Sequence, residues 1–221
     1  DKIEVALVWS LPDKILKKLK NLKIIFSLGA GVDHILKLPS YKNTPIIRIQ
    51  DPNMRSRMLN HVLAQILIYQ LKLTEYNKAQ QKNIWLDERH TSLNKDLTIG
   101  VLGVGYLGKF IANKLKSLDY NVIGYKNTIS AAKYSIPIYY KKSLKTFLKL
   151  SDIIISVLPA TKETRDLINK SFLNQMKKKS LLINIGRGSS LNEMDLLKHI
   201  KKNNYFFASL DVFKKEPLPK N

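Results

Sequence analysis

The stretch Thr98-Ile99-Gly100-Val101-Leu102-Gly103-Val104-Gly105-Tyr106-Leu107-Gly108 decides the fold of this chain. A strand-like apolar run leads directly into a Gly-x-Gly-x-x-Gly motif, and a segment of helical period follows it. In that context the first glycine permits a tight turn, the second admits a pyrophosphate to the backbone, and the third allows close helix packing. The helix N-terminus favours negative charge. The stretch therefore predicts a dinucleotide site, with contacts from Gly103, Gly105, Tyr106, Leu107 and Gly108.

On both sides of this motif, apolar runs of strand length alternate with segments of helical period, which indicates α/β units around a parallel sheet. From residue 97 onward we expect six strands, at 97–102, 121–125, 136–140, 153–158, 181–185 and 206–210. The third of these runs contains Pro137, which confines it to a sheet edge. An edge position for the third strand fits the order 3-2-1-4-5-6 of a Rossmann-type doubly wound parallel sheet.

The residues before the motif form a second, smaller set of elements. Strands are expected at 3–8, 23–26 and 46–49, a short helix at 12–20, a long helix at about 57–76, and an irregular arm at 77–95. We therefore predict two domains, a small one at residues 1–50 and a nucleotide-binding one at 51–221 that begins with the linking helix.

The amino-acid composition of the chain excludes several classes of function. The 221 residues carry a formal net charge of +21, yet 32 of the 38 basic residues are lysines spread along the chain. We interpret this as a lysine-rich solvated surface rather than a specific nucleic-acid site, because arginine forks supply most bidentate recognition. The absence of cysteine excludes disulfides, thiolate metal sites and cysteine nucleophiles,. We expect a soluble, cytoplasmic protein with no membrane segment and no metal.

The end of the second strand bears on the choice of cofactor. A carboxylate is expected about 20 residues after the glycine motif when the cofactor is NAD. Here the sequence is Gly124-Tyr125-Lys126-Asn127-Thr128, with no acid. A cation at Lys126 favours a ribose 2′-phosphate, so we predict NADP rather than NAD, with Lys126 and Asn127 beside the ribose. The alternative is that Lys126 is one more surface lysine.

Four further motifs stand in order around the glycine motif, at residues 27–34, 158–165, 184–188 and 211–219. Together the five motifs closely resemble the D-isomer specific 2-hydroxyacid dehydrogenases, and within them the glyoxylate/hydroxypyruvate reductase A-like branch, over essentially the whole chain. The resemblance implies reduction of a 2-keto acid by a nicotinamide cofactor. It also implies that residues 1–50 are part of a flavodoxin-like substrate domain.

The resemblance assigns a role to each motif. Main-chain N–H groups of the glycine loop bind the substrate carboxylate in the family, where missing side chains allow close approach. Arg187 is implied as the group that polarises the substrate carbonyl and grips the carboxylate, and Glu216 as the partner of a catalytic histidine. The resemblance implies substrate-binding residues Leu28, Gly29, Ala30, Gly31 and Arg187, and further cofactor-binding residues Leu158, Pro159, Thr164, Ile185, Gly186 and Asp211.

The chain departs from the family pattern at its ends. The catalytic histidine is expected beyond Glu216 in a Thr-Pro-His context, and the chain has no histidine there. We therefore expect this to be a fragment of a longer reductase, and expect the complete protein to be a homodimer built through the long helix. Two alternatives remain open: a catalytically inactive dinucleotide-sensing interaction protein of the corepressor type, and another family member such as phosphoglycerate or formate dehydrogenase.

Overall fold

The structure is a computed structural model that describes residues 2–29, 31–87, 92–129 and 131–219. The chain divides into two compact units, Asp1–Met54 and Arg55–Asn221. The sequence places a domain boundary after residue 50, and the compact units divide after Met54.

The first unit holds a three-stranded parallel sheet in the order β1-β2-β3. Its core contains Leu11, Leu16, Ile25 and Ile35. Val5 and Leu7, which alternate with Ala6 along β1, are exposed, so one face of this sheet carries the buried residues. The elements are β1 (Val5–Val8), α1 (Asp13–Leu16), β2 (Ile24–Ser27), α2 (Asp33–Leu36) and β3 (Ile46–Arg48).

The linking helix differs from the sequence expectation. It begins five residues earlier than expected, as α3 (Pro52–Gln70), because the Asp51 carboxylate accepts hydrogen bonds from the N–H groups of Asn53 (2.8 Å) and Met54 (3.1 Å),. It ends before Lys72, whose φ is +53°, and a separate helix α4 (Leu73–Gln80) follows. The expectation of one helix over 57–76 and of an irregular arm from residue 77 was therefore wrong at these residues.

The second unit holds a six-stranded parallel sheet in the order β6-β5-β4-β7-β8-β9. This confirms the predicted 3-2-1-4-5-6 order, with the strand after Pro137 at the edge. The strands are β4 (Thr98–Leu102), β5 (Asn121–Lys126), β6 (Ile138–Tyr140), β7 (Ile153–Ser156), β8 (Ser180–Asn184) and β9 (Phe206–Leu210). The helices after α4 are α5 (Tyr106–Lys116), α6 (Leu144–Leu150), α7 (Lys170–Leu173) and α8 (Glu193–Lys202).

Both faces of the six-stranded sheet are buried. In β7 the side chains of Ile153 and Ile155 enter one apolar cluster, and that of Ile154 enters the cluster on the opposite face. This is why the central strands are almost continuously apolar rather than alternating. No helix in the described part of the chain has both the length and the apolar character needed to cross a membrane. Because the strands are parallel, the loops after β4, β5, β7, β8 and β9 lie at one edge of the sheet.

Candidate active site

The predicted glycine turn lies at the carboxyl end of β4 and has the geometry its sequence implies. Gly103 has a φ of +100°, and its N–H donates to the Tyr125 carbonyl of β5 at 3.0 Å. A Cβ placed at Gly108 would lie 2.1 Å from the Gly103 carbonyl oxygen. Both glycines are therefore required by the turn itself and by the packing of α5 against it.

Gly105 has a different role, because no atom of the described residues lies within 4 Å of the place where its Cβ would be. It is the N-cap of α5, a helix of 11 residues whose first-turn N–H groups have no partner within the helix,. That combination fits an anion such as a pyrophosphate. The Leu107 side chain packs against the core, so only its main chain is placed for such a contact.

Tyr106, the first residue of α5, is exposed and contacts an arginine of the linking helix. The Arg55 Nη1 donates to the Tyr106 hydroxyl at 3.2 Å, and the guanidinium lies 4.4 Å from the centroid of the Phe110 ring. The predicted cofactor contact at Tyr106 is therefore beside a cation that the sequence analysis did not single out.

Lys126 ends β5 and is half-buried. Its Nζ donates to the Tyr134 hydroxyl at 2.5 Å and lies 5.1 Å from the centroid of the same ring. Asn127 follows and is exposed. From Thr98 to Ser151 the sequence contains a single acidic residue, Asp119, which precedes β5 at the other end of that strand.

The loop after β7 contains three of the predicted cofactor residues. Leu158 is buried in the core, and Pro159 is exposed. The Thr164 hydroxyl donates to the Pro159 carbonyl at 2.5 Å and accepts from the Thr161 N–H at 2.9 Å. Thr164 therefore closes this loop on itself, and Thr161 is a further participant that the resemblance did not indicate.

Arg187 follows β8 in a loop that is held by several internal hydrogen bonds. Its Nη1 donates to the Gly186 carbonyl at 2.9 Å, and its own carbonyl accepts from the Ser190 hydroxyl at 2.7 Å. The buried Asn184 side chain accepts from the Gly186 N–H at 3.3 Å. A Cβ at Gly186 would lie 2.6 Å from the backbone of Leu158, so this loop and the loop after β7 touch. Ile185, which lies between Asn184 and Gly186 in sequence, is buried.

Glu216 lies in the loop after β9, beside the Arg187 loop. A Cβ at Gly188 would lie 1.9 Å from the Phe213 carbonyl carbon, so the two loops are in backbone contact. The Phe213 N–H donates to the Glu216 carboxylate at 2.8 Å. At the start of the loop the exposed Asp211 donates its N–H to the Asn184 carbonyl at 3.0 Å. The structure therefore brings the predicted catalytic residues Arg187 and Glu216 onto two adjoining loops.

A salt bridge that sequence reasoning missed fixes the same loop. The Lys214 Nζ contacts the Asp166 carboxylate at 2.5 Å, and the Lys214 N–H donates to the Glu193 carboxylate at 2.8 Å. These partners lie 48 and 21 residues from Lys214 in sequence, so no local pattern could have indicated them.

The predicted substrate loop lies in the first unit, after β2. The Leu28 N–H donates to the Val8 carbonyl at 2.9 Å, and the Gly29 N–H donates to the Ser27 hydroxyl at 3.2 Å. Two of the four amides expected to bind a carboxylate are thus already bonded within the unit. Ala30 lies outside the described residues, and Gly31 leads to α2.

None of the described histidines is paired with Glu216. His34 is hydrogen-bonded through Nε2 to the Trp9 carbonyl at 3.0 Å, and His61 lies on α3. His199 packs edge-on against the Phe206 ring with 4.7 Å between centroids, and burial lowers its pKa. His90, the fourth, lies outside the described residues.

Comparison with known proteins identifies the family of the chain. The model of the D-isomer specific 2-hydroxyacid dehydrogenase NAD-binding domain matches residues 63–221. The chain is 37% identical to glyoxylate/hydroxypyruvate reductase A of Photorhabdus laumondii and 34% identical to that of Yersinia enterocolitica. Each alignment covers 98% of this chain and 71% of the relative.

Solved structures agree with these relatives. An NADPH-dependent glyoxylate/hydroxypyruvate reductase from Sinorhizobium meliloti, in complex with NADP and sulfate, matches with a TM-score of 0.92 and 31% identity. The match covers 100% of this chain and 71% of that one. A D-isomer specific 2-hydroxyacid dehydrogenase from Xanthobacter autotrophicus, in complex with NADPH and MES, matches with a TM-score of 0.92 and 32% identity over 100% of this chain and 70% of that one. The chain belongs to the D-isomer specific 2-hydroxyacid dehydrogenase family.

Proposed function

We propose that this chain carries the cofactor site and the central catalytic residues of an NADPH-dependent reductase of 2-keto acids, acting on glyoxylate or hydroxypyruvate. The observation that carries the proposal is the open N-terminus of α5 at Gly105, next to a sheet edge where Lys126 replaces the acid of an NAD site,. The similarity to glyoxylate/hydroxypyruvate reductase A of Photorhabdus laumondii and to the NADPH-dependent glyoxylate/hydroxypyruvate reductase of Sinorhizobium meliloti supports the same substrate class.

The cofactor, when bound, supplies the hydride. The chain holds it through main-chain N–H groups at Gly105, Tyr106 and Leu107 on the pyrophosphate, where the helix end offers donors and positive potential. Lys126 and Asn127 are proposed beside the ribose. Asp211 is proposed to hold the carboxamide, and the predicted wall of the cofactor site comprises Leu158, Pro159, Thr164, Ile185 and Gly186.

Arg187 is proposed to polarise the substrate carbonyl. A guanidinium presents paired N–H donors, which suit both a carbonyl oxygen that gains negative charge and the neighbouring carboxylate. The hydrogen bond from Arg187 to the Gly186 carbonyl and the one from the Ser190 hydroxyl to the Arg187 carbonyl hold this loop before substrate arrives, which lowers the cost of ordering it,.

Glu216 is proposed as a positioning residue for the group that protonates the substrate oxygen. A carboxylate beside an imidazole raises its basicity and fixes its tautomer. The imidazole that Glu216 would orient is not among the described histidines, none of which is paired with it.

The first unit is proposed as the substrate domain, and its glycine loop as the part that binds the substrate carboxylate. Because the Leu28 and Gly29 N–H groups are already hydrogen-bonded within the unit, we propose that the carboxylate binds the N–H groups of Ala30 and Gly31.

The test is the oxidation of NADPH and of NADH, followed by absorbance, with glyoxylate and with hydroxypyruvate. We expect NADPH to be preferred. Arg187→Ala should lower kcat/KM by about 10²- to 10³-fold, the range for loss of one donor to a developing oxyanion. Arg187→Lys is the matched control, because it keeps the charge and loses the fork. Equal rates for Arg187→Ala and the unaltered chain would refute the role of Arg187, and a clear preference for NADH would refute that of Lys126.

Free imidazole tests the role of Glu216. We expect imidazole in the assay to raise the rate of the chain, because an imidazole beside Glu216 can donate the proton, and we expect Glu216→Gln to abolish most of that gain. If imidazole raises the rate equally in both proteins, Glu216 does not orient the proton donor.

A homodimer is proposed from the same resemblance, with α3 and the residues after it at the interface. Light scattering coupled to size exclusion tests this. A mass that stays at 25.4 kDa at all concentrations would contradict the dimer.

A further inference from the structure

We propose that Lys109, Lys126 and Tyr134 together form a two-cation site for a phosphomonoester, namely the 2′-phosphate on the adenosine ribose of NADP. The inference deepens the proposed function and rests on it. It adds Lys109 as a second phosphate-binding residue and Tyr134 as the positioning residue that holds both lysines in place.

The contacts among the three side chains carry the proposal. The Nζ atoms of Lys109 and Lys126 lie 5.6 Å and 5.1 Å from the centroid of the same Tyr134 ring. The Lys126 Nζ also donates to the Tyr134 hydroxyl, and the Lys109 Nζ donates to the Lys133 carbonyl at 3.3 Å. One tyrosine thus contacts both ammonium groups, Lys126 through its hydroxyl and Lys109 through its ring, and no carboxylate among the described residues pairs with either lysine.

The position of this cluster matches the path that a dinucleotide would take. Lys109 is the fourth residue of α5, one turn from the N-terminus at Gly105, and Lys126 ends the neighbouring strand β5. An adenosine ribose whose pyrophosphate lies at Gly105 reaches the carboxyl end of β5 in this fold. The cluster therefore lies where the 2′-position of the ribose is expected.

The net positive charge of the sequence around these lysines favours a bound phosphate over a ribose hydroxyl. Nine lysines and one acidic residue lie between Thr98 and Ser151, and that acid, Asp119, precedes β5 at its opposite end. Two cations held together repel one another unless a counter-charge lies between them. A phosphomonoester carries nearly two negative charges at neutral pH and neutralises both, whereas a ribose hydroxyl neutralises neither.

Tyr134 reduces the cost of forming this site. A lysine side chain loses considerable rotamer freedom when it binds, and a lysine that already contacts a tyrosine hydroxyl or ring is partly ordered. Since Tyr134 packs against the core of the second unit, it offers a fixed hydroxyl to Lys126 and a fixed ring to Lys109. Tyr134 is therefore proposed to preorganise the two ammonium groups before the cofactor arrives.

The experiment compares two adenosine nucleotides by isothermal titration calorimetry on the chain without cofactor. Adenosine 2′,5′-bisphosphate carries the additional phosphate, and adenosine 5′-monophosphate lacks it. We expect the unaltered chain to prefer the bisphosphate by at least tenfold. Lys109→Gln should lower the affinity for the bisphosphate by about tenfold and change that for the monophosphate by less than twofold. Lys114→Gln, which removes the same charge from the same helix, is the control and should leave both affinities unchanged.

Variants of Tyr134 separate the ring from the hydroxyl. Tyr134→Phe removes the hydroxyl that accepts from Lys126 but keeps the ring beside Lys109, and it should lower the bisphosphate affinity by about threefold. Tyr134→Leu removes the ring face and should lower it by tenfold or more, with the monophosphate affinity retained as a measure of intact folding. A Tyr134→Leu variant that binds the bisphosphate as tightly as the unaltered chain would overturn the positioning role.

The outcomes distinguish failure of this inference from failure of the proposed function. If the unaltered chain does not prefer the bisphosphate, the proposal of NADP itself fails. If it does prefer the bisphosphate but Lys109→Gln binds both nucleotides as before, only the two-cation site fails. If inorganic phosphate competes with the bisphosphate at equal concentration, the cluster is a general anion site, and the inference is again refuted.

Discussion

Two glycine-containing loops, one in each unit, were predicted to bind negatively charged groups through their main chain, and they differ in how their amides are used. The loop after β2 has its Leu28 and Gly29 N–H groups bonded to Val8 and Ser27 and leads into α2, a helix of four residues. The loop after β4 leads into α5, a helix of 11 residues, and Gly105 faces open space.

The difference shows that a glycine-rich sequence does not by itself make an anion site. Glycine permits close approach of a ligand, but affinity needs donors that the fold has left unbonded and a helix long enough to add its dipole. The second loop meets both conditions within its own unit. In the first loop the donors must come from the residues after Gly29, or from exchange of the Ser27 hydrogen bond.

The largest expected effect comes from adding a methyl group to each loop. Gly105→Ala should lower NADPH affinity by about 100-fold, or about 2.7 kcal/mol, because the methyl group occupies the approach of the pyrophosphate. It should change the free energy of unfolding by less than about 0.5 kcal/mol, since the site is open. NADPH fluorescence titration and urea unfolding measure the two quantities.

Gly29→Ala is the matched variant in the first loop. The nearest atom to its Cβ would be the Gly31 carbonyl oxygen at 3.4 Å, which is ordinary contact, so we expect little change in stability and none in NADPH affinity. An equal loss of NADPH affinity in both variants would remove the distinction between the loops.

The second-largest expected effect is a loss of stability where α5 packs against the loop after β4. Gly108→Ala should lower the free energy of unfolding by about 1–3 kcal/mol, because the methyl group would overlap the Gly103 carbonyl, 2.1 Å from its position,. Thermal unfolding monitored by circular dichroism measures it. A variant as stable as the unaltered chain would show that α5 can shift away from the turn, and the geometry assigned to Gly103 would then be wrong.

A smaller effect is expected from the hydrogen bond that closes the first loop. Ser27 is buried, its hydroxyl accepts from the Gly29 N–H and donates to the Gly29 carbonyl, and Ser27→Ala removes both bonds. We expect a loss of about 1 kcal/mol in the stability of the first unit. Hydrogen exchange at the Gly29 amide should accelerate, and an unchanged exchange rate would contradict the bond.

The smallest effect is a pH dependence confined to the second unit. Burial lowers the pKa of His199, so the folded state disfavours the charged imidazole. The stability this group provides is complete above its unfolded pKa and is lost as the pH falls through its folded pKa. Urea unfolding at pH 7 and at pH 5 should show less acid destabilisation in His199→Gln than in the unaltered chain. The same acid destabilisation in both would exclude His199 as the cause.

The sequence predicted the sheet of the second unit well, because its signals are local. Continuous apolar runs, a proline in the third run and a glycine motif between strand and helix are all visible within a few residues of one another,. The strand order followed from Pro137 and the count of strands. The absence of an acid at Lys126 is equally local.

What the sequence did not predict depends on contacts between distant residues or on single backbone angles. The break before α4 rests on the left-handed conformation of Lys72, a residue with no sequence preference for it,. The partnership of Lys109 with Lys126 through Tyr134 joins residues on a helix, a strand and a loop. The bonding of the Leu28 N–H appears only once β1 and β2 are paired.

The contact between Gly188 and Phe213 has a consequence for redesign of substrate preference. The loops that carry Arg187 and Glu216 are in backbone contact at Gly188, so a side chain at position 188 requires the backbone at Phe213 and Lys214 to move. In a mutant library that randomises only residues 186–190, most variants with a substitution at position 188 should misfold. A library that varies position 188 together with residues 212–214 should contain folded variants in which both loops have changed conformation. For the same reason, natural variation at position 188 should be correlated with variation at 212–214.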